Sequence, residues 1–106
     1  MSAIAALFER YDLLITPTLA VPAFPHDQRP QVVNGRPISG MNWLSFTYPF
    51  NLSGNPAISV PCGWTDDGLP VGLQLVAPRF ADRELLVAAA LFEQLRPWSA
   101  RRPPVD

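Results

Sequence analysis

The sequence predicts an α/β or α+β chain of short strands, one hairpin and flanking helices, and three observations carry that reading. Two β-rich runs, 57–65 and 70–77, bracket an Asp66-Asp67-Gly68 turn, the signature of an antiparallel hairpin. Three stretches, 3–10, 41–53 and 83–95, hold apolar residues at helical spacing. A strand-like run at 12–16 joins the run at 57–65 through a connection that contains a helix, which suits a parallel arrangement and a mixed sheet.

The elements follow in order. Residues 3–10 read as one or two helical turns, with Ile4, Leu7 and Phe8 on one face and no N-cap region upstream. Asp12 to Thr16 is apolar without alternation, as a strand covered on both faces would be, and Pro17 stops it. From Pro17 to Pro37 there are five prolines in 21 residues. That density predicts a long ordered loop with no regular element and a turn at Asn34-Gly35.

Residues 41–53 predict a helix broken or kinked at Pro49. Trp43, Leu44, Phe46, Tyr48, Phe50 and Leu52 spread around it, so burial on several sides is expected. Gly54 is placed to terminate it. Pro61 marks its strand as an edge or a bulge. Asp82 is positioned to N-cap the last helix, with Leu85, Leu86, Ala89, Phe92 and Leu95 as its buried stripe and Pro97 as its end.

Composition narrows the function. The 106 residues suffice for one small segment, 48% of them hydrophobic, with 16% charged and a net charge of −1. A polybasic nucleic-acid or lipid binder is excluded as first choice. Proline, at 13 residues, is about twice its usual share. All eight basic residues are arginine. Without lysine, no Schiff base, P-loop or Ser-Lys pair can be completed within these residues. Cys62 is alone, so no internal disulfide forms and a cytoplasmic location is expected. The start has no basic n-region and the longest apolar run is far short of a membrane span, so neither a signal peptide nor a membrane partner is expected.

No residue set completes a catalytic site. The sole histidine, His26, sits in the proline-rich loop and reads as a solvated residue rather than a general base. Cys62 reads as a small buried hydrophobe rather than a nucleophile. Asp66 and Asp67 are turn residues, and Glu84 and Glu93 lie on a helix surface. No metal-ligand spacing or phosphate-cradling glycine loop is present, and no metal or cofactor is expected. Trp43, Phe46, Tyr48 and Phe50 either line an apolar cleft or pack as core, and helical spacing favours packing. Arg79 reads as a surface ion-pair partner.

Two longer motifs remain. Residues 46–63 read Phe-Thr-Tyr-Pro-Phe-Asn-Leu-Ser-Gly-Asn-Pro-Ala-Ile-Ser-Val-Pro-Cys-Gly, and 68–78 read Gly-Leu-Pro-Val-Gly-Leu-Gln-Leu-Val-Ala-Pro. Together with Phe8-Glu9-Arg10-Tyr11-Asp12-Leu13-Leu14-Ile15-Thr16-Pro17-Thr18, they resemble the C-terminal region of the amidase signature family, which includes bacterial amidases and the amidase component of the glutamyl-tRNA amidotransferase. The resemblance covers nearly the whole chain.

The resemblance implies an α/β fold, here the C-terminal piece of a single large domain built on a mixed sheet. Residues 1–106 would form one segment of that domain, with its catalytic N-terminal part absent. The family's catalysis implies a serine nucleophile, a second serine on a cis peptide and a proton-relaying lysine, with a Gly/Ser-rich signature as oxyanion donor. None of these maps here, so no residue receives a catalytic role. By the same resemblance, the residues ahead of Pro49 lie near the acyl pocket, and Trp43, Leu44 and Phe46 would form an apolar, substrate-binding wall. That wall points to an aryl or alkyl amidase lineage rather than a glutamine-using one. Two readings stay open: part of an amide hydrolase acting on C–N bonds other than peptide bonds, or a free-standing non-catalytic binding module. The partners expected are an N-terminal amidase half or a second copy of the chain, with no nucleic acid.

Overall fold

A computed structural model describes residues 2–105. Its elements are helix α1 (Ala3–Phe8), strands β1 (Leu14–Pro17), β2 (Val32–Val33) and β3 (Arg36–Pro37), a 3-10 turn (Asn42–Leu44), helix α2 (Tyr48–Ser53), the hairpin β4 (Ala57–Trp64) and β5 (Pro70–Val76), and helix α3 (Asp82–Leu95).

The hairpin forms where its turn chemistry puts it. Gly68 takes φ +82, a left-handed position that suits glycine, and its N–H donates to Thr65 O. The register runs from Ala57↔Val76 to Trp64↔Pro70 and slips between Pro61 and Gly63. Proline donates no ladder bond, so the bulge falls at Pro61, on an edge strand.

The sheet order is β1-β5-β4, and both pairings are antiparallel. The parallel arrangement expected for 12–16 and 57–65 therefore holds only in direction. β1 and β4 run the same way but flank β5 and do not pair. The hairpin claims one edge of β5 and leaves the other for β1.

β1 also departs from the sequence reading. Its residues alternate between half-buried and exposed, and Ile15 is 57% exposed. The cover expected on both faces is absent among the described residues. Pro17 does not stop the strand but is its last paired residue, opposite Leu73. An edge strand tolerates this because the missing N–H costs no ladder bond.

α1 does have a cap. The Ser2 hydroxyl accepts from the Ala5 N–H at 3.2 Å, and the helix ends at Phe8. In the proline-rich stretch, where no regular element was expected, β2 and β3 form a two-stranded ladder. Asn34 and Gly35 join them with φ of 49 and 75. Positive φ at both central residues fits a type I′ turn, whose twist suits a hairpin.

Residues 41–53 form two pieces, a break rather than a kink, and the break falls ahead of Pro49. Proline disfavours helical geometry at the residue before it but is at home in a first turn. Pro49 accordingly lies in the first turn of α2, and the 3-10 turn precedes it. Gly54 caps α2 with φ 75. Burial on several sides is not seen: Phe50 is buried, whereas Leu52 is 84% exposed.

The core lies between α3 and one face of the sheet. Val60, Leu75, Ala77, Leu85 and Ala89 are buried there, with Leu13, Leu73, Ala88, Phe92 and Trp98 packed around them. Burying a leucine such as Leu85 contributes about 1.5–3 kcal/mol. The stripe expected on α3 is only partly correct, because Leu86 and Leu95 are exposed. Leu86 lies about 100° around the helix from Leu85, and a narrow three-stranded sheet covers only one side. Nor does Asp82 cap α3. Ala81 holds the cap position, and Asp82 and Glu84 lie in the first turn, where negative charge suits the helix dipole.

Candidate functional site

The other face of the sheet is polar at its centre. The register aligns Thr16, Gln74 and Ser59 across three strands. Gln74 occupies the middle strand and is 4% exposed. Its Nε2 donates to Thr16 Oγ1 at 2.9 Å and to the Phe46 carbonyl at 2.6 Å. One bond stays in the sheet, and the other leaves it for the segment ahead of α2.

Beside this row, the hydroxyls of Thr18 and Ser59 meet at 2.7 Å. They cross over Gly72, where a Cβ would stand 2.6 Å from Ser59 Oγ and 2.7 Å from Thr18 Oγ1. A side chain at this position would force one of the two hydroxyls to move. The hydroxyl pair lines a cleft of about 370 Å³ whose walls include Val21, Pro22 and Val71.

The three residues expected to bind substrate lie together above the sheet, all half-buried. Trp43 and Leu44 belong to the 3-10 turn, and Phe46 follows it. Phe24, from the proline-rich stretch, meets the Trp43 ring edge-on with centroids 5.1 Å apart, and the Ala20 N–H donates to Trp43 O. The Leu44 carbonyl accepts from the N–H and hydroxyl of Thr47. Trp43 Nε1 is enclosed and has no acceptor among the described residues. An enclosed donor without a partner costs about 1–3 kcal/mol. None of the three lines the hydroxyl cleft.

The remaining candidates lie apart. His26 is exposed in the loop, and Asp66 and Asp67 are exposed at the hairpin tip. Cys62 is half-buried, and its thiol donates to Val71 O at 3.5 Å. Arg79 places its guanidinium over the Phe80 ring, 5.4 Å from the centroid. No cluster of three metal-ligating side chains occurs among the described residues, and no described helix is long and apolar enough to cross a membrane.

Sequence reasoning missed Gln74, Thr18 and Ser59. A signal was present. In Gly72-Leu73-Gln74-Leu75, small or polar residues alternate with leucine, so one face of the central strand is not apolar.

Comparison with known proteins identifies the family. The Amidase family profile matches residues 1–86. The acylamidase of Rhodococcus erythropolis is 47% identical over 96 residues, which cover 88% of this chain and 20% of that protein. The 6-aminohexanoate-cyclic-dimer hydrolase of Paenarthrobacter ureafaciens is 42% identical, over 88% of this chain and 20% of its own length. A solved bacterial aryl acylamidase of the amidase signature family superposes with a TM-score of 0.78 at 38% identity, covering 94% of this chain and 22% of that one. The chain thus spans about a fifth of the length of the relatives it matches. It belongs to the amidase family and shares the fold of the amidase signature enzymes over that fifth.

Proposed function

We propose that this chain is the C-terminal portion of an amidase-type hydrolase that cleaves C–N bonds other than peptide bonds. It supplies core strands and one wall of the acyl pocket, and an N-terminal amidase portion supplies the serine nucleophile, the second serine and the lysine. The observation that carries this reading is a 47% identity to an acylamidase of which the chain spans only 20%, in a sequence with no lysine. One feature of the fold supports it. Large apolar side chains stand in the open, Phe80 at 87% and Leu52 at 84% exposed, as they would where further protein covers them.

In this role Trp43, Leu44 and Phe46 hold the acyl side of the substrate. An apolar wall gains about 0.8 kcal/mol for each methylene it takes from water. It also excludes water from the carbonyl that the nucleophile attacks. The wall carries no charged side chain to meet the amino and amide groups of glutamine, so the substrates are aryl or alkyl amides. The lone Cys62 suits a cytoplasmic enzyme.

The test is reconstitution. The Rhodococcus acylamidase, shortened by the segment this chain matches, is co-expressed with the chain and assayed on anilides of short fatty acids. Hydrolysis that depends on both parts is the expected result. The proposal fails if the parts associate but remain inactive, or if the chain alone is a monomer that melts cooperatively and binds no partner. The latter result would identify a free-standing binding module.

A further inference from the structure

We infer that Gln74 is a positioning residue that sets acyl-chain selectivity by fixing the height of the 43–46 wall above the sheet. The inference rests on the reading of Trp43, Leu44 and Phe46 as the acyl wall.

Gln74 is the one buried polar side chain among the described residues. β5 is paired on both sides, so the Gln74 backbone is held by the ladders of β1 and β4. Its amide group has two N–H donors that diverge within one plane. One is given to Thr16 Oγ1, which fixes the plane, and the other then points to Phe46 O. The side chain is a strut with a braced base.

The wall it supports has little regular structure of its own. The 3-10 turn is three residues long and is closed by local bonds, Leu44 N–H to Met41 O and Ser45 N–H to Asn42 O. Behind it, α2 is tied to the sheet at its far end, where Asn55 Nδ2 donates to Ala77 O at 2.9 Å. The Gln74 bond to Phe46 O ties down the near end. Removing it leaves the near end with no bond to the sheet, held by the Ala20 N–H bond to Trp43 O and the edge-on Phe24 ring.

Glutamine is specific to this task. Asparagine is one methylene too short. Glutamate would set a carboxylate against a carbonyl. Methionine keeps the volume but donates nothing. Gln74→Met therefore frees Phe46 without emptying the space. A pocket responds to a change of one methylene by at least about tenfold in relative rate. A wall released by a comparable distance alters the preference for long over short acyl chains by a similar factor.

The test has two readouts. On the 106-residue chain, the indole N–H resonance of Trp43 reports the position of the wall. In the reconstituted amidase, the ratio of kcat/KM for hexanoyl and acetyl anilides reports selectivity. We expect Gln74→Met to shift the Trp43 resonance and change the ratio about tenfold. Thr16→Val, which removes the bond that fixes the amide plane, changes the ratio in the same direction by a smaller factor. Leu44→Ala, a change in the wall itself, alters the ratio. If Gln74→Met lowers both substrates in parallel while Leu44→Ala changes the ratio, the inference is overturned and the acyl-wall reading stands. If neither variant changes the ratio, or the reconstituted wild type is inactive, the acyl-wall reading falls and takes the inference with it.

Discussion

The two layers of this molecule are organised by different means. Behind the sheet, all five buried core residues lie between Val60 and Ala89, within one hairpin and the helix that follows it. The hairpin and helix bury each other through contacts close in sequence. In front, residues 17–53 carry all six prolines of the first half, and their regular elements are two to six residues long. Phe50 is the only buried hydrophobic residue they supply. Side-chain bonds from distant strands hold this layer: Gln74 to Phe46, and Thr18 to Ser59. The back layer is held by apolar contacts close in sequence, whereas the front layer is held by a few side-chain bonds from distant strands.

The contrast makes its largest prediction at paired leucines. Leu85 is 4% exposed in the back layer, and Leu52 is 84% exposed in the front. Leu85→Ala should destabilise by about 2–5 kcal/mol, because it opens a cavity in the core. Leu52→Ala should change stability by less than about 0.5 kcal/mol. Urea unfolding of the two variants checks this. Equal losses would mean that the layers share one core.

The next effect tests how the front is attached. Gly72→Ala would place a methyl group 2.6 Å from Ser59 Oγ and 2.7 Å from Thr18 Oγ1. One hydroxyl must move and their bond breaks, at a cost of about 1–3 kcal/mol. Ser59→Ala in the same background removes the closest clash and should recover part of the loss. Thermal melts of the single and double variants measure it. A Gly72→Ala protein as stable as wild type would show that the hydroxyl pair gives way freely.

A smaller loss is expected at the hairpin tip. Gly68 has φ +82 with open space around the Cβ position, so Gly68→Val meets backbone strain alone. The cost is about 1–2 kcal/mol, since a left-handed conformation is poor for a β-branched residue. An unchanged melting temperature would show that the turn relaxes to another type.

The same division governs what could be read from the sequence. Local chemistry was legible. Asp66-Asp67-Gly68 makes the hairpin turn, Gly54 caps α2 with φ 75, and Pro61 sits at a bulge. Long-range matters were not. Nothing near Pro17 tells that it pairs with Leu73, and β1 is separated from its partner by the whole front layer. Trp43, Leu44 and Phe46 could be named as a candidate wall only through the family resemblance, and their tie to the sheet was not legible at all, because Gln74 bonds to residues 28 and 58 positions away. The wrong members of the α3 stripe have a physical cause. Helical periodicity gives angles, and the width of the partner surface decides how many of those angles are buried.

The smallest effect on stability tests that last point. Leu86 and Leu95 are 61% and 81% exposed, although their helical spacing had marked them for the core. Leu86→Gln and Leu95→Gln keep good helix formers in place and remove only exposed apolar surface. Each should change the unfolding free energy by less than about 0.5 kcal/mol. The same substitutions should lower dye binding and self-association, because exposed leucines on the two flanks of α3 invite other surfaces to cover them. Sedimentation at several concentrations measures the second effect, and urea unfolding the first. A loss of about 2 kcal/mol or more from either variant would restore that leucine to the core and show that α3 is covered on a second side by its own chain. Unchanged stability with reduced association would show that the flank of α3 carrying that leucine is available to a partner.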